Sequence, residues 1–298
     1  MEVNLAGLEI KNPTMLAAGI LGVSGLTLKR VAEAGAGAVI TKSIGPQPRE
    51  GYPNPTIVET DCGLLNAVGL ANPGVEEFMP EIPIAKKGGA PVIASIFGSS
   101  EQEFAYVASR MEQAGADALE LNVSCPHAKI SAIGQSADLT GAVVRAVKGA
   151  VGIPIFVKLT PNVADLVSIS QAAERAGADG LTCINTVRAM TIDLDTHKPI
   201  LGNKIGGLSG QAIKPIAVRC VYEVYEAVST PVIGSGGVWN WRDAVEFFLA
   251  GASAVQVGTA VLHKDLSVFS QINRGISKYM HAKGCANLKD LIGLSHRA

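Results

Sequence analysis

Residues 114–124 read AGADALELNVS, an Ala-Gly-Ala turn that leads directly into an apolar strand. The turn follows a helix-like stretch, and glycine in this place is typical of the residue that ends a helix. The same Ala-Gly-Ala pattern occurs at residues 34–36, 176–178 and 250–252, each time before another apolar run. Self-similarity of this kind indicates a repeated structural unit, so we predict four copies of helix, turn and strand.

Four further apolar runs complete the series. Three of them begin with a proline, at Pro91, Pro154 and Pro231, and the fourth begins at Thr14. Strands that alternate with helices pair in parallel and are buried on both faces. Eight such units favour closure into an α/β fold of the (β/α)8 TIM-barrel type, with an open doubly wound sheet as the alternative. We expect residues 1–298 to form a single domain.

Three segments are additions to a minimal barrel. Residues Val3 to Pro13 predict an N-terminal hairpin that turns at Ala6-Gly7 and covers the bottom of the barrel. Segments 44–83 and 187–212 follow the second and sixth strands. Because barrel enzymes place their chemistry at the carboxyl ends of the strands, we expect both segments to be long active-site loops.

The overall composition excludes several classes of protein. The chain has a formal net charge of −1, which gives no reason to expect a nucleic-acid or membrane partner. Its five cysteines are widely spaced and form no C-x-x-C pair, so we expect no disulfide framework, no metal site and no iron–sulfur cluster within the chain. The sequence shows no signal peptide and no apolar stretch long enough to span a bilayer, and we expect a cytoplasmic protein.

Polar or small residues stand at the end of almost every predicted strand, where a purely structural strand would stay apolar. They are Lys42, Ser43, Ser95, Asn122, Lys158, Asn185, Thr186, Gly236, Gly237, Gly258 and Thr259. The glycines offer free backbone N–H groups after the seventh and eighth strands, where barrels often bind phosphate, although they could serve only as tight turns. A buried lysine needs an anionic partner, which is either a ligand or a carboxylate such as Glu120.

Two residue types at this rim carry chemistry. Asn66, Asn122 and Asn185 offer both donors and acceptors, which suits a ring that bears amide groups, whereas a single asparagine is usually a turn residue. Cys125 follows the fourth strand and precedes Pro126, where a thiol of lowered pKa can act as a base. A small buried hydrophobe is the commoner role of a cysteine, and it is the one we predict for Cys183 and Cys220.

A set of motifs resembles the class 1 dihydroorotate dehydrogenases over essentially the whole chain. The motifs are LNAVGLANPG (65–74), LNVSCPH (121–127), FVKLTPN (156–162), GLTCINT (180–186), GGLSG (206–210), IGSGG (233–237) and VGTA (257–260). The run PILGNKIGGLSGQAIKPIAVR at 199–219 is most similar to the class 1B catalytic subunit. The resemblance implies oxidation of dihydroorotate to orotate, with reduction of bound FMN, in pyrimidine (UMP) biosynthesis.

The resemblance also assigns residues to this site. It implies FMN contacts at Ala18, Lys42, Ser43, Ser95, Asn122, Lys158, Ile184, Gly210, Gly236, Gly237, Gly258 and Thr259. It implies substrate contacts at Lys42, Asn66, Ala67, Val68, Gly69, Leu70, Asn122, Asn185 and Thr186. Cys125 aligns with the catalytic base, which would take a proton from the substrate while the neighbouring carbon delivers hydride to flavin N5.

One position departs from the family pattern. His127 stands where the family usually has asparagine, and Cys-Pro-His also resembles the dihydropyrimidine dehydrogenases, which act on uracil-type rings. That activity is the first alternative. A non-redox barrel lyase or isomerase that binds phosphate is the second, and a non-catalytic flavin-binding subunit is the third.

No motif in the sequence identifies the electron acceptor. The class 1B resemblance implies a partner subunit that carries FAD and a [2Fe–2S] cluster and passes electrons to NAD, whereas class 1A enzymes use fumarate. It also implies a homodimer of this subunit.

Overall fold

A computed structural model describes residues 1–124 and 133–297 of the chain. In chain order its strands are β1 (Val3–Leu5), β2 (Leu8–Ile10), β3 (Thr14–Leu16), β4 (Ala38–Ile40), β5 (Ile57–Thr60), β6 (Gly63–Asn66), β7 (Val92–Ile96), β8 (Ala118–Asn122), β9 (Ile155–Leu159), β10 (Gly180–Cys183), β11 (Val187–Ala189), β12 (Ile192–Asp193), β13 (Lys198–Pro199), β14 (Gly206–Ser209), β15 (Val232–Ser235) and β16 (Ala252–Val257). The α-helices are α1 (Gly25–Glu33), α2 (Val75–Phe78), α3 (Glu81–Lys86), α4 (Glu101–Gln113), α5 (Ala137–Lys148), α6 (Leu166–Arg175), α7 (Lys214–Ala227), α8 (Trp241–Leu249), α9 (Ala260–Lys264) and α10 (Ser267–Lys283).

Eight parallel strands close into a barrel in the order β3-β4-β7-β8-β9-β10-β15-β16. They are the eight apolar runs predicted from the sequence, so the (β/α)8 prediction is confirmed and the open sheet is excluded. Strands β7, β8 and β9 are buried at every position, as expected for strands with the barrel interior on one side and helices on the other.

Helix α4 shows how the repeated unit is built. The Ser100 side chain accepts a hydrogen bond from Glu103 N and caps the first turn. Phe104, Val107, Ala108 and Met111 follow at helical spacing and are buried against the barrel. Gly115 then adopts φ +92°, a left-handed conformation that stops the helix and that glycine adopts without strain. The Ala-Gly-Ala signal therefore marks a helix end followed at once by a strand.

The N-terminal hairpin is confirmed. β1 and β2 pair antiparallel with Leu5 opposite Leu8, and the turn falls at Ala6-Gly7. Leu5 and Ile10 are buried in the main hydrophobic core, and β1 contacts barrel strand β16.

The two long segments contribute residues to the cavity side of the barrel, as predicted for active-site loops, and they also contain short strands that we did not predict. β5 and β6 from the first segment pair with β14 and β11 from the second, and together they form a four-stranded antiparallel sheet in the order β11-β14-β6-β5. We call this the cap sheet. Its strands are only three or four residues long, and Pro, Gly and Asn surround them, so local sequence shows turns rather than strands. Among the described residues, no helix is both long and apolar enough to cross a membrane.

Candidate active site

A cavity of about 530 Å³ lies between the carboxyl ends of the barrel strands and the cap sheet. It is lined by nearly all of the predicted contact residues: Ala18, Lys42, Ser43, Asn66, Ala67, Val68, Gly69, Leu70, Asn122, Lys158, Ile184, Asn185, Thr186, Gly210, Gly236, Gly237, Gly258 and Thr259. Ser95 is fully buried and does not line the cavity. Cys125 and His127 lie outside the described residues. The structure thus brings the predicted strand ends together at one site.

A chain of hydrogen bonds fixes the asparagines on one side of this cavity. Ser95 and Ser43 share a hydrogen bond of 2.9 Å between their hydroxyls, and Asn122 Nδ2 donates to Ser43 Oγ at 3.0 Å. Asn122 Oδ1 accepts from Ser124 Oγ at 2.8 Å and from Asn185 Nδ2 at 3.3 Å. Ser95 therefore lies behind Ser43, and these hydrogen bonds hold both asparagines in one orientation.

Lys158 stands at the floor of the cavity with a carboxylate beneath it. Its Nζ donates to Gln256 Oε1 at 2.9 Å and lies 3.5 Å from Glu120 Oε1. Gln256 Nε2 and Thr182 Oγ1 both donate to Glu120 Oε2, at 2.5 Å and 3.2 Å. The carboxylate partner that the sequence left open is thus present for Lys158. Glu120 was named from the sequence only as a possible lysine partner and Gln256 was not named, although a polar residue inside a buried strand was the available signal.

The glycines at the last two strand ends differ in what they require. Gly236 and Gly237 have φ of +122° and +83°, and a Cβ on either would come within 3.0 Å of residues behind it. These two positions need glycine for the turn itself. Gly258 lies outside the left-handed region, and a Cβ there would meet only Ala17 at 3.4 Å and Ile20 at 3.9 Å. Neither the backbone conformation nor the packing of neighbouring residues therefore requires glycine at position 258. Because Gly258 has no side chain, its backbone is open to the cavity.

The cap sheet is packed tightly onto the strand ends by the GGLSG motif. A Cβ on Gly207 would lie 2.1 Å from Thr186 Oγ1, and one on Gly210 would lie 2.7 Å from Gly63 Cα. Ser209 Oγ accepts a hydrogen bond from Thr259 Oγ1 at 2.9 Å, which joins the cap sheet to the end of the eighth strand. The glycines of this motif therefore set how closely the cavity is covered.

Two further asparagines hold the loops that surround the cavity. Asn72 is buried, and its Oδ1 accepts from Gly45 N at 3.2 Å and Gly74 N at 2.8 Å. Asn162 Nδ2 donates to Thr186 O at 3.0 Å, and its Oδ1 accepts from Arg188 N at 2.9 Å. Neither residue was predicted to belong to the site, since an asparagine beside proline is a common turn residue.

The described cysteines do not line the large cavity. Cys183 and Cys220 are buried, as predicted, and burial raises the pKa of the Cys183 thiol well above its ordinary value of 9.0. Burial also raises the pKa of Cys220. Cys62 is exposed and Cys285 is partly buried. None of these four thiols lines the large cavity.

Fold and cavity together define an α/β-barrel protein with a large polar site at the carboxyl ends of its strands, which is where barrel enzymes carry out their reactions. A family model described as dihydroorotate dehydrogenase matches residues 1–280. The chain belongs to the dihydroorotate dehydrogenase family, and so to the oxidoreductases.

Relatives in the same family resemble the chain over nearly its full length. A protein of Methanosarcina acetivorans is 55% identical over 297 residues, which are 98% of this chain and 95% of the relative. A protein of Pyrococcus abyssi is 51% identical over 297 residues, 99% of each chain. A protein of Methanocaldococcus jannaschii is 48% identical over 302 residues, 99% of this chain and 98% of the relative. All three are named dihydroorotate dehydrogenase B (NAD(+)), catalytic subunit.

Proposed function

We propose that this chain is the catalytic subunit of an NAD-dependent dihydroorotate dehydrogenase, which oxidises dihydroorotate to orotate with reduction of bound FMN in pyrimidine biosynthesis. The observation that carries the proposal is the single cavity in which lysines, asparagines and strand-end glycines of the family pattern meet. The names of the similar proteins agree with it. Neither alternative activity, on uracil-type rings or without a flavin, is favoured by an observation of comparable weight.

The cavity suits FMN. Its volume of about 530 Å³ lies within the range of small-molecule and cofactor sites. The residues around Gly258 would leave room for a side chain, yet the position is a glycine whose backbone is open to the cavity. This favours a bound group at that strand end. We propose FMN contacts at Ala18, Lys42, Ser43, Asn122, Lys158, Ile184, Gly210, Gly236, Gly237, Gly258 and Thr259, with Ser95 acting through Ser43.

FMN, when bound, supplies the hydride acceptor of the reaction. Lys158 places a positive charge at the cavity floor, which favours the negative charge that reduction creates. Its hydrogen bond to Gln256 and its ion pair with Glu120 hold the ammonium group in place.

The substrate half of the proposal rests on Lys42 and the amide side chains. Lys42 lines the cavity at the end of the second barrel strand, where it can bind the carboxylate of dihydroorotate. Asn66, Asn122 and Asn185 line the same cavity and can bind the amides of the pyrimidine ring. Residues 67–70 and Thr186 complete the proposed substrate contacts. Cys125 would hold the role of base and take the proton that leaves the substrate carbon.

Electrons must leave the site after each turnover. The similar proteins are named as NAD(+)-dependent catalytic subunits, and a catalytic subunit implies a partner. We propose a partner subunit with FAD and a [2Fe–2S] cluster, a homodimer of this chain and a location in the cytoplasm.

Replacing Cys125 by alanine tests the assignment of the base. We expect Cys125→Ala to retain FMN and to reduce it about 100- to 10,000-fold more slowly with dihydroorotate, the usual contribution of a general base. The matched control is Cys62→Ala, which removes an exposed thiol that does not line the large cavity. Anaerobic stopped-flow measurement of flavin absorbance gives both rates. Equal rates in the two variants would remove Cys125 from the mechanism.

A further inference from the structure

Glu120 is a buried carboxylate that the proposed reaction does not use. It is 1% exposed, and it lies in β8 two residues before Asn122, one layer below the cavity. Lys158 and Gln256 line the cavity, whereas Glu120 does not. A ligand in the cavity would therefore contact Lys158 and Gln256, with Glu120 behind them.

The neighbours of Glu120 are two hydrogen-bond donors and the ammonium group of Lys158. Its Oε2 accepts hydrogen bonds from Gln256 Nε2 and Thr182 Oγ1. Its Oε1 lies 3.5 Å from Lys158 Nζ and accepts no hydrogen bond. Gln256 thus joins the two charges, because its carbonyl accepts from Lys158 while its amide donates to Glu120.

The charge balance of the barrel interior depends on this pair. Among the described residues, the buried charged side chains are Glu120, Lys158 and Asp243, and Asp243 pairs with Lys214 outside the barrel interior. With Glu120 in place, the charge of Lys158 is balanced within the pair. Without it, Lys158 would leave one uncompensated positive charge at the cavity floor. A buried ion pair seldom adds stability over apolar packing, so this pair is better explained by its effect on the cavity.

We propose that Glu120 is a positioning residue that fixes Lys158 and, by offsetting its charge, lowers the reduction potential of the bound flavin. This inference rests on the proposed function, since it requires a flavin over Lys158. A neutral flavin that accepts a hydride gains one negative charge, so a more positive floor favours the reduced form. Glu120 therefore makes the flavin a weaker oxidant, and it helps the reduced flavin to pass electrons to an acceptor of low potential such as NAD.

The test is the midpoint potential of the bound flavin in Glu120→Gln, measured against reference dyes under anaerobic conditions. The carboxamide has the same shape, and its oxygen can still accept from Gln256 or Thr182, so the change removes mainly the charge. We expect the reduction equilibrium to shift toward the reduced flavin by about tenfold or more, which is a rise of about 30 mV for a two-electron couple. The matched control is Glu223→Gln, which neutralises an exposed carboxylate paired with Arg219 and should leave the potential unchanged.

Sulfite binding gives a second readout that does not involve turnover. Sulfite adds to flavin N5 and leaves a negative charge on the ring, so Glu120→Gln should bind it about tenfold more tightly or better, by the same charge argument. A potential or a sulfite affinity that stays within error of the control would overturn the inference.

If Glu120→Gln does not accumulate as folded flavoprotein, Glu120→Asp takes its place, because it keeps the charge but moves it away from Lys158. It should raise the potential by a smaller amount, and an unchanged or lower potential contradicts the inference. A wild-type protein that binds no FMN, or binds FMN that dihydroorotate does not reduce, refutes the proposed function instead.

Discussion

Replacing Gly258 by alanine separates a glycine that serves a ligand from one that serves the fold. Gly258 is outside the left-handed region, and its added Cβ would make one contact of 3.4 Å with Ala17 and one of 3.9 Å with Ile20. These are ordinary van der Waals distances, and all three residues line the cavity. Gly237, one strand away, is the matched comparison, since it has φ +83° and its Cβ would lie 2.7 Å from Lys214 Cβ.

Gly258→Ala should weaken FMN binding with little change in stability, whereas Gly237→Ala should lower the stability of the apoprotein. Gly258→Ala should change the free energy of unfolding of the apoprotein by no more than about 0.5 kcal/mol, as for a substitution without a clash. A methyl group pressed into a filled site costs about 1–3 kcal/mol, so FMN should bind about 5- to 150-fold more weakly. Gly237→Ala carries a left-handed penalty of about 1–2 kcal/mol and an overpacking cost of about 1–3 kcal/mol, and should lower the apoprotein Tm by roughly 4–10 °C.

Thermal unfolding of the apoproteins and titration of each with FMN, followed by flavin fluorescence, give both quantities. If Gly258→Ala binds FMN as tightly as the wild type, Gly258 does not face the cofactor. If it unfolds as early as Gly237→Ala, the glycine is needed by the chain itself, and the argument for a bound group at this strand end is refuted.

Ser43→Ala removes the hydroxyl to which Asn122 Nδ2 donates a hydrogen bond. Orotate should then bind the holoenzyme about 5- to 10-fold more weakly, because one such hydrogen bond contributes about 1 kcal/mol. An unchanged Kd, measured by titration, would contradict this prediction. Asn72→Ala leaves two backbone N–H groups without their acceptor. It should lower the free energy of unfolding, measured by urea denaturation, by about 2–3 kcal/mol. A loss below about 0.5 kcal/mol would show that other contacts hold the loop. In the native protein, a thiol reagent near pH 8 should label exposed Cys62 and spare Cys183, as read by mass spectrometry of the peptides; labelling of Cys183 at the same rate would refute its burial. Because burial raises the pKa of Cys183, the stability that its neutral thiol provides is present below pH 9.0 and decreases as the pH rises above that value. Cys183→Ala should therefore show a smaller fall of Tm above pH 9.0 than the wild type, and an equal fall would contradict the assignment.

The barrel was predictable because its signals are local. Gly35, Gly115, Gly177 and Gly251 all adopt positive φ at the ends of helices, so the Ala-Gly-Ala repeat corresponds directly to the geometry. Once the strands were placed, parallel pairing brought their carboxyl ends to one rim, and the polar residues at those ends had to meet.

The cap sheet was not predictable in the same way. Its central pairing joins Asn66 to Gly207, which are 141 residues apart, and the strands involved are four residues long. Neither strand has a pattern strong enough to indicate its partner. The GGLSG motif needs glycine at 207 and 210 because Thr186 and Gly63 pack directly against these positions. Both neighbours are distant in sequence, so the sequence alone does not show this requirement.

The floor of the cavity shows a third limit. The sequence placed Lys158 at a strand end and left its anionic partner open between a ligand and a carboxylate. Glu120 proved to be that partner because alternate residues of β8 face the barrel interior, and Gln256 joins the two from β16. The roles of Cys125 and His127 stay predictions, since both lie outside the described residues.

Anaerobic titration of the purified protein with dihydroorotate tests the central proposal most directly. We predict that the protein is yellow, that about one equivalent of dihydroorotate bleaches the flavin, and that orotate is formed in the same amount. Dihydrouracil at the same concentration should leave the flavin oxidised. A colourless protein, or a flavin that dihydrouracil reduces and dihydroorotate does not, would contradict the account.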